Sequence, residues 1–478
     1  MSKLAFQSVT FSFSESGKSN MIQDLSITFD SESITVITGP SGCGKSTFLN
    51  LAGGIYPQNA GVLHSGHISV NGQNLAELAP DQRAPMIGVM FQNPDLQFCM
   101  DTVENELLFC LGNVQTPPEK MPKIIQDALE FCGITHLKDR KLQSLSGGEK
   151  QKAMLACLVA LDPEWLLLDE PFANVDEDSS AELVAKIEEL HQKGKGILVV
   201  DHRLEYWLPV CDEICFLESN NDMNITRYKM EAISDEMLME KGILPPSIPY
   251  KQKGDESIVK PVNPILEIKN LTVFRGKQQI LNTINYTFER SKVYALLGTS
   301  GSGKSTLFGA INRLYNYQGK ILLNGNDVKK RVIRKTGAIG FVTQNPQDQF
   351  VASTVLEEIT IGLHRTKSLS ETEPILRGIG LWGYRNFSPY MLSQGQQRRL
   401  GVASLMAYDC QVLICDEPTY AQDWKNTTAI MDSLVEEMME RGMTLIFSTH
   451  DRKLANDYAD VILTLKEGEL IECSKPSL

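Results

Sequence analysis

No apolar run in this chain of 478 residues is long enough to cross a bilayer. Spanning takes roughly 18 consecutive apolar residues, and the longest runs, such as Trp165–Leu168 and Ile197–Val200, are only strand-sized. The opening stretch, Met1–Phe13, lacks the basic-then-apolar order of a secretory signal. Ten cysteines are scattered without a CxxC pair, and Cys211 and Cys215 have no second pair to complete a metal site. This argues against a disulfide framework and fits a reduced cytosolic protein. Positive charge is also short. There are 46 Lys and Arg against 59 Asp and Glu, a net charge of −13. Such a surface repels phosphate backbones and argues against a general nucleic-acid binder. What is present is ordinary globular material, 42% hydrophobic and 22% charged, which supports full-sized cores and excludes a largely disordered or fibrous chain. At about 100–200 residues per domain, two or more domains are expected.

The chain repeats itself. Gly39-Pro40-Ser41-Gly42-Cys43-Gly44-Lys45-Ser46-Thr47 returns as Gly298-Thr299-Ser300-Gly301-Ser302-Gly303-Lys304-Ser305-Thr306. Gly66–Gly72, Phe91–Pro94, Leu145–Glu149, Leu166–Pro171 and Asp201–Arg203 return in the same order as Gly319–Gly325, Thr343–Pro346, Leu392–Gln396, Leu413–Pro418 and Thr449–Asp451. The offset stays near 250 residues, far too long for a solenoid. Two homologous domains in tandem are expected, at residues 1–241 and 264–478. Residues 242–263 form an exposed linker, because Leu244–Ser257 is polar and Pro-bearing with no apolar period. Within each half, strand-length apolar runs alternate with helical patterns such as Ser180–Gln192 and Thr427–Arg441, which implies an α/β fold with a mostly parallel, buried sheet. Asn71-Gly72 and Asn324-Gly325 signal hairpins and a smaller antiparallel portion in each domain.

Each G-x-x-x-x-G-K-[ST] match follows a β-branched run (Ile34–Thr38, Val293–Leu297) and opens a helical segment, the context a phosphate-binding loop needs. The glycines let backbone N–H groups turn toward phosphate oxygens, and the helix N-terminus adds positive potential. Lys45 and Lys304 are expected to reach the β- and γ-phosphates, and Ser46 and Ser305 to ligate Mg²⁺. Asp169-Glu170 and Asp416-Glu417 each close an apolar strand. Two carboxylates there are costly unless a cation meets them. Asp169 and Asp416 are therefore expected in the Mg²⁺ shell, and Glu170 and Glu417 are expected to polarise the attacking water. A lone histidine after a strand is more often structural, but His202 and His450 lie 32 and 33 residues beyond those glutamates. The recurrence favours a γ-phosphate contact. Gln92 and Gln344 also follow strands, and an amide can both ligate Mg²⁺ and orient water. Ser146-Gly147-Gly148 precedes a helix and offers a second anion site, one that suits a partner domain's nucleotide.

This set of loops resembles the ATP-binding-cassette ATPases, across nearly the whole chain. Gln92-Asn-Pro-Asp-Leu-Gln97-Phe98 and Gln344-Asn-Pro-Gln-Asp-Gln349-Phe350 further resemble the ATPases of energy-coupling-factor (ECF) transporters, which import vitamins and transition-metal ions. The resemblance implies two tandem P-loop domains, each with a helical subdomain, the usual pair of ATPase subunits being fused in one chain. It implies two ATP molecules with Mg²⁺, each sandwiched between one domain's P-loop and the other's Leu-Ser-Gly-Gly segment, with Asp176 and Asp423 in the loop crossing that interface. It also implies a transmembrane coupling subunit and a small membrane substrate-binding subunit as partners, no nucleic acid, and a place on the cytoplasmic face of the cell membrane. Two departures matter. The second segment reads Ser393-Gln394-Gly395, with Gln where Gly is common, so the two sites are expected to be unequal. The adenine-stacking ring is Phe13 in the first half and Phe274 in the second, although Arg275 fits the register as well.

Other readings are an ATPase for sugar uptake, which the kept glutamates and the Gln-Asn-Pro stretch oppose, and a soluble tandem ATPase acting on ribosomes, which the short low-charge linker and acidic balance oppose. Cys43, beside Lys45 at a helix start, is expected to be a reactive thiolate protected by Mg-ATP. The membrane partner is expected to meet Asp95, Asp101, Glu104 and Glu106 in the first half and Asp348, Glu357 and Glu358 in the second, through its own arginines.

Overall fold

A computed structural model describes residues 2–13, 21–40, 43–172, 175, 177–219, 223–241, 243, 245, 263–276, 278–299, 301–330, 338–363, 372–392, 394–406, 410–419 and 424–473. The chain forms two compact units, Met1–Ile248 and Pro249–Leu478. The strands of the first are β1 (Lys3–Ser12), β2 (Ile22–Asp30), β3 (Ile34–Thr38), β4 (Val62–Val70), β5 (Gln73–Asn74), β6 (Ile87–Met90), β7 (Trp165–Asp169), β8 (Gly196–Val200), β9 (Glu213–Ser219) and β10 (Met223–Lys229). They make two sheets. One is antiparallel, in the order β2-β1-β4-β5, and the other runs β10-β9-β3-β8-β7-β6. In the latter, β9, β3, β8, β7 and β6 are parallel and β10 returns antiparallel.

The central strands β3, β7 and β8 are buried along their whole length, as expected of a parallel sheet covered on both faces. Their side chains alternate between two cores. Trp165, Leu167, Leu198 and Val200 face a cluster with Leu4 and Phe6 of β1, Val70 of β4, and Phe48 of the helix Lys45–Ala52. Leu166, Leu168, Ile197 and Val199 face the helical side, with Leu107, Leu129, Met154 and Ile187. Ile243, within the expected linker, packs into that second core. The β4–β5 turn has φ of 51° at Asn71 and 81° at Gly72, the mirror-image turn that matches strand twist.

The second unit repeats the plan with β11 (Pro264–Arg275), β12 (Gln278–Glu289), β13 (Val293–Leu297), β14 (Gln318–Leu323), β15 (Asn326–Asp327), β16 (Ile339–Val342), β17 (Val412–Cys415), β18 (Thr444–Ser448), β19 (Val461–Lys466) and β20 (Glu469–Cys473). Its sheets run β12-β11-β14-β15 and β16-β17-β18-β13-β19-β20. Among the described residues no helix is long and apolar enough to cross a membrane.

The order of the parallel strands places the chemistry. Gln92 follows β6, Asp169 and Glu170 close β7, His202 follows β8, and the Gly39–Lys45 loop follows β3. These four strands are consecutive in the sheet, so the side chains converge along one carboxyl edge, where open α/β sheets bind ligands. In the second unit β16, β17, β18 and β13 do the same for Gln344, Asp416, Glu417, His450 and Lys304.

Candidate functional site

Gly44 and Gly303 cap the two loop helices with φ of 102° and 106°, a backbone that L side chains rarely adopt. The turn swings each lysine back over its loop. Lys45 Nζ donates to the carbonyls of Gly39 and Pro40 at 2.8 and 3.0 Å. Lys304 Nζ donates to those of Gly298 and Thr299 at 2.6 and 3.2 Å. Ser46 Oγ donates to Asp169 Oδ1 at 3.2 Å, and Ser305 likewise bonds Asp416. Beyond the strand end, Gln92 Nε2 donates to Glu170 Oε2 at 2.5 Å. His202 Nδ1 lies 3.2 Å from Glu170 Oε1, and His450 Nδ1 lies 3.1 Å from Glu417 Oε2.

Glu170 and Glu417 have φ of 42° and 51°, a region that costs a non-glycine residue on the order of 1–3 kcal/mol and persists only where the surroundings enforce it. The amide of Glu170 donates to the Val200 carbonyl at 2.8 Å. That of Glu417 donates to Ser448 Oγ at 2.9 Å, and Ser448 in turn donates to Asp416 at 2.6 Å.

Charge follows the geometry. Burial, with Glu170 beside it, raises the Asp169 carboxyl to about 7. Burial would also raise Glu170, but the His202 and Lys45 charges outweigh it and hold Glu170 below the usual glutamate value. Burial opposes protonation of His202, and Glu170 reverses this, so His202 is raised. Asp201, wholly buried and bonded by Trp207 Nε1 at 2.9 Å, is raised to about 6, mainly by that burial. In the second unit burial raises Asp416, while His450 and Lys304 outweigh burial and lower Glu417.

Ser146 Oγ accepts from the Glu149 amide at 3.3 Å while Glu149 Oε2 accepts from the Ser146 amide at 2.7 Å. This reciprocal cap sits on the helix Gly147–Leu161. The corresponding helix of the second unit, Gln394–Met406, begins at Gln394, with Gly395 in its first turn. Ser41, Gly42, Ser300, Ser393, Asp176 and Asp423 lie outside the described residues. Phe13 and Phe274 are both well exposed just past or at the end of a strand. Arg275 lies with its guanidinium 4.3 Å from the centre of the Tyr315 ring. Thr47 and Thr306 lie in the loop helices, and Gly301 and Ser302 complete the second loop.

Three expectations change. Cys43 is 6% exposed and belongs to the core cluster under the antiparallel sheet, so its thiol is not the open nucleophile that its position suggests. Glu106 and Glu358 are buried, not docking acids. Glu106 Oε2 accepts the amides of Cys99 and Met100 at 2.9 and 2.7 Å, and Glu358 Oε2 those of Val351 and Ala352 at 3.0 and 2.8 Å. Asp95 and Glu104 are paired within the chain, with Lys150 at 2.7 Å and Lys138 at 3.0 Å. The signal for Glu106 and Glu358 was present: both stand 14 residues after their loop glutamine. Gln97 is structural as well. Its side chain accepts from the Phe91 amide at 3.1 Å and donates to the Val89 carbonyl at 2.6 Å, closing the edge of β6.

Ser46, Asp169 and Gln92 form a sparse set of hard oxygen donors, which suits Mg²⁺ when phosphates and water complete its shell. Among the described residues no group of three or more His, Cys, Asp or Glu side chains could hold a metal by itself.

A glycine-rich loop after a central parallel strand, with acid, histidine and glutamine on neighbouring strand ends, defines a P-loop nucleoside triphosphatase, present here twice. The ABC transporter family profile matches residues 22–173 and 281–420, and the chain belongs to that family as an ABC-type ATPase. A Bacillus subtilis (strain 168) protein, provisionally assigned as the HMP/thiamine import ATP-binding protein YkoD, is 34% identical over 99% of this chain and 92% of its own length. A Saccharolobus solfataricus ABC transporter ATP-binding protein, SSO1893, also a provisional assignment, is 29% identical over 92% of this chain and 88% of its own. Among solved structures, the archaeal ribosome recycling factor aABCE1, in complex with the ribosomal stalk protein aP1, superposes with a TM-score of 0.67. At 17% identity over 96% of this chain and 89% of that one, the likeness is one of fold.

Proposed function

We propose that this ATPase energises an ECF-type membrane importer of a vitamin or transition-metal ion. It would bind two Mg-ATP and work at the cytoplasmic face of the membrane with a transmembrane coupling subunit and a small substrate-binding subunit. The observation that carries the reading is the duplication of a complete hydrolytic set, with both glutamates held at positive φ against a histidine. Residues exposed beside each Gln loop support a partner: Leu96 (79% exposed), Met100, Leu108 and Phe109 in the first unit, and Val351 and Ile361 in the second. The Gln-Asn-Pro-Asp-x-Gln stretch and the relative assigned to HMP/thiamine import support the transport class.

In this reading Lys45 and Lys304 leave their loop carbonyls for the β- and γ-phosphates. Ser46, Gln92 and Asp169, with Ser305, Gln344 and Asp416, would hold the Mg²⁺, which would neutralise phosphate charge. Glu170 and Glu417 draw the proton side of the attacking water, while His202 and His450 orient those carboxylates and reach the γ-phosphate. Phe13 and Phe274 stack on adenine; Arg275 is engaged by Tyr315. Ser146-Gly147-Gly148 and Ser393-Gln394-Gly395 close on the nucleotide of the other unit. The net charge of −13 weighs against a ribosomal role. The test is copurification of the tagged chain from native membranes, followed by identification of bound solute. A polytopic subunit, a small membrane protein and a vitamin or metal ion are expected. Recovery with ribosomal subunits and no membrane protein would overturn the reading.

A further inference from the structure

The helices Gly147–Leu161 and Gln394–Met406 carry different buried polar side chains six residues after the leucine of each Leu-Ser-x-Gly segment: Gln151 in the first and Arg398 in the second. Gln151 is 1% exposed, and its Nε2 reaches the Gln92 carbonyl at a long 3.5 Å. Arg398 is 5% exposed, and its guanidinium donates to two carbonyls, that of Gln344 at 2.6 Å and that of Glu417. One planar fork thus ties the Gln loop to the strand end that carries the glutamate, from a third element. A rigid guanidinium can hold two acceptors at once with charge-assisted bonds, which an amide cannot match.

The two units use different means to fix the same pair. In the first, the Gln92 side chain bonds Glu170 directly. In the second, one guanidinium grips the backbone carbonyls of Gln344 and Glu417. Glu417 is the residue at φ 51°, so a clamp on its carbonyl restrains a conformation the chain would otherwise relax.

We propose that Arg398 is a positioning residue for the second hydrolytic site, making the Gln344 loop and Glu417 move as one body with the helix that begins at Gln394. The inference rests on the reading of Glu417 as the residue that polarises water. A shift of the Gln344 loop would then displace Glu417 directly, whereas Gln92 can part from Glu170 without moving its backbone.

The test uses the full chain and site-resolved, steady-state phosphate release from Mg-ATP. Arg398→Gln and Arg398→Lys are placed in a Glu170→Gln background, which reports the second site, and in a Glu417→Gln background, which reports the first. In the former, Arg398→Gln should lower kcat about tenfold or more with KM changed less than about twofold, and Arg398→Lys should recover part of the loss. In the latter, the fall should be several-fold smaller. Equal losses in both backgrounds, or a rise in KM with kcat kept, would overturn the proposal. If Arg398→Gln melts early, Arg398→Lys decides alone: a kcat loss confined to the second site supports the clamp, and parent kinetics sink it. Separately, parent-rate release from the second site in the Glu417→Gln protein would mean that the glutamate assignment, rather than the clamp, is wrong.

Discussion

Glu170 and Glu417 concentrate the cost of the fold: the first is part-buried and the second buried, and each is anionic and in a left-handed backbone. Replacing both by Gln keeps shape and hydrogen bonding and removes the charge. Because phosphoryl transfer depends mainly on positioning and electrostatics, hydrolysis should fall at least about 10²-fold while nucleotide binding persists. Radiolabelled ATP trapping beside a phosphate assay reads both. Lys45→Ala with Lys304→Ala should instead weaken binding. The first site also carries a pH signature. His202, raised, adds stability in full below its ordinary 6.5 and loses it as pH climbs through the folded value. Asp169 and Asp201, raised to about 7 and about 6, hold protons more tightly folded than unfolded, so their share is lost in the same direction. Glu170, lowered from 4.5, matters only on acidification. The ligand-free protein should therefore melt lower as pH rises from about 5.5 to about 8, by roughly 2–4 °C per kcal/mol. Asp201→Asn should flatten the slope, and so should Mg-ATP, which on the proposed assignment would bring a cation to Asp169. A Tm independent of pH in this range would discard the linkage.

At the scale of elements, the repeat made most of the site legible. Ile34–Thr38, Val293–Leu297, Gly196–Val200 and Thr444–Ser448 are strands with the expected bounds, because short, nearly continuous apolar runs leave little choice in a buried sheet. Both Asn-Gly turns are hairpins for reasons local to two residues. Arg398 escaped because its carbonyl partners lie 19 and 54 residues away, and Glu106 and Glu358 because a charge in a linear sequence reads as surface even where its partners are amides only six and seven residues back. Glu106 and Glu358 hold two amides each at the start of the helices Val103–Asn113 and Val355–Leu363. Glu106→Ala or Glu358→Ala should leave those donors unpaired and cost about 1–3 kcal/mol each, read by urea unfolding. Glu104→Ala, which breaks only the part-exposed pair with Lys138, should cost about 0–1 kcal/mol. Equal costs for Glu104 and Glu106 would refute the distinction.

For the molecule as a whole, the proposed transport role raises the question of which surface would meet a membrane partner. The acids expected there are largely committed: Asp95 to Lys150, Glu104 to Lys138, and Glu106 and Glu358 to backbone amides. Beside the exposed Asp95 and Asp101, the first Gln loop also exposes apolar side chains, namely Leu96, Met100, Leu108 and Phe109. The repeat places Asp348, Ala352, Thr360 and Ile361 at the corresponding positions of the second unit. An exposed apolar patch is costly in a soluble monomer and marks a contact surface. The first unit should therefore contribute more of the docking affinity and the second more of its polar specificity. Leu96→Ser with Leu108→Ser and Phe109→Ser should reduce recovery with membranes about tenfold or more, since buried anchors dominate interfaces, while ATPase activity of the isolated chain is largely kept. Val351→Ser with Ile361→Ser should reduce it less, and reversal of Asp348 and Glu357 to Lys should act mainly through salt-sensitive association. Flotation of membranes carrying the coupling subunit at low and high salt separates these effects. If the triple serine variant floats as well as the parent while the charge reversals do not, docking is electrostatic and the apolar patch has another occupant.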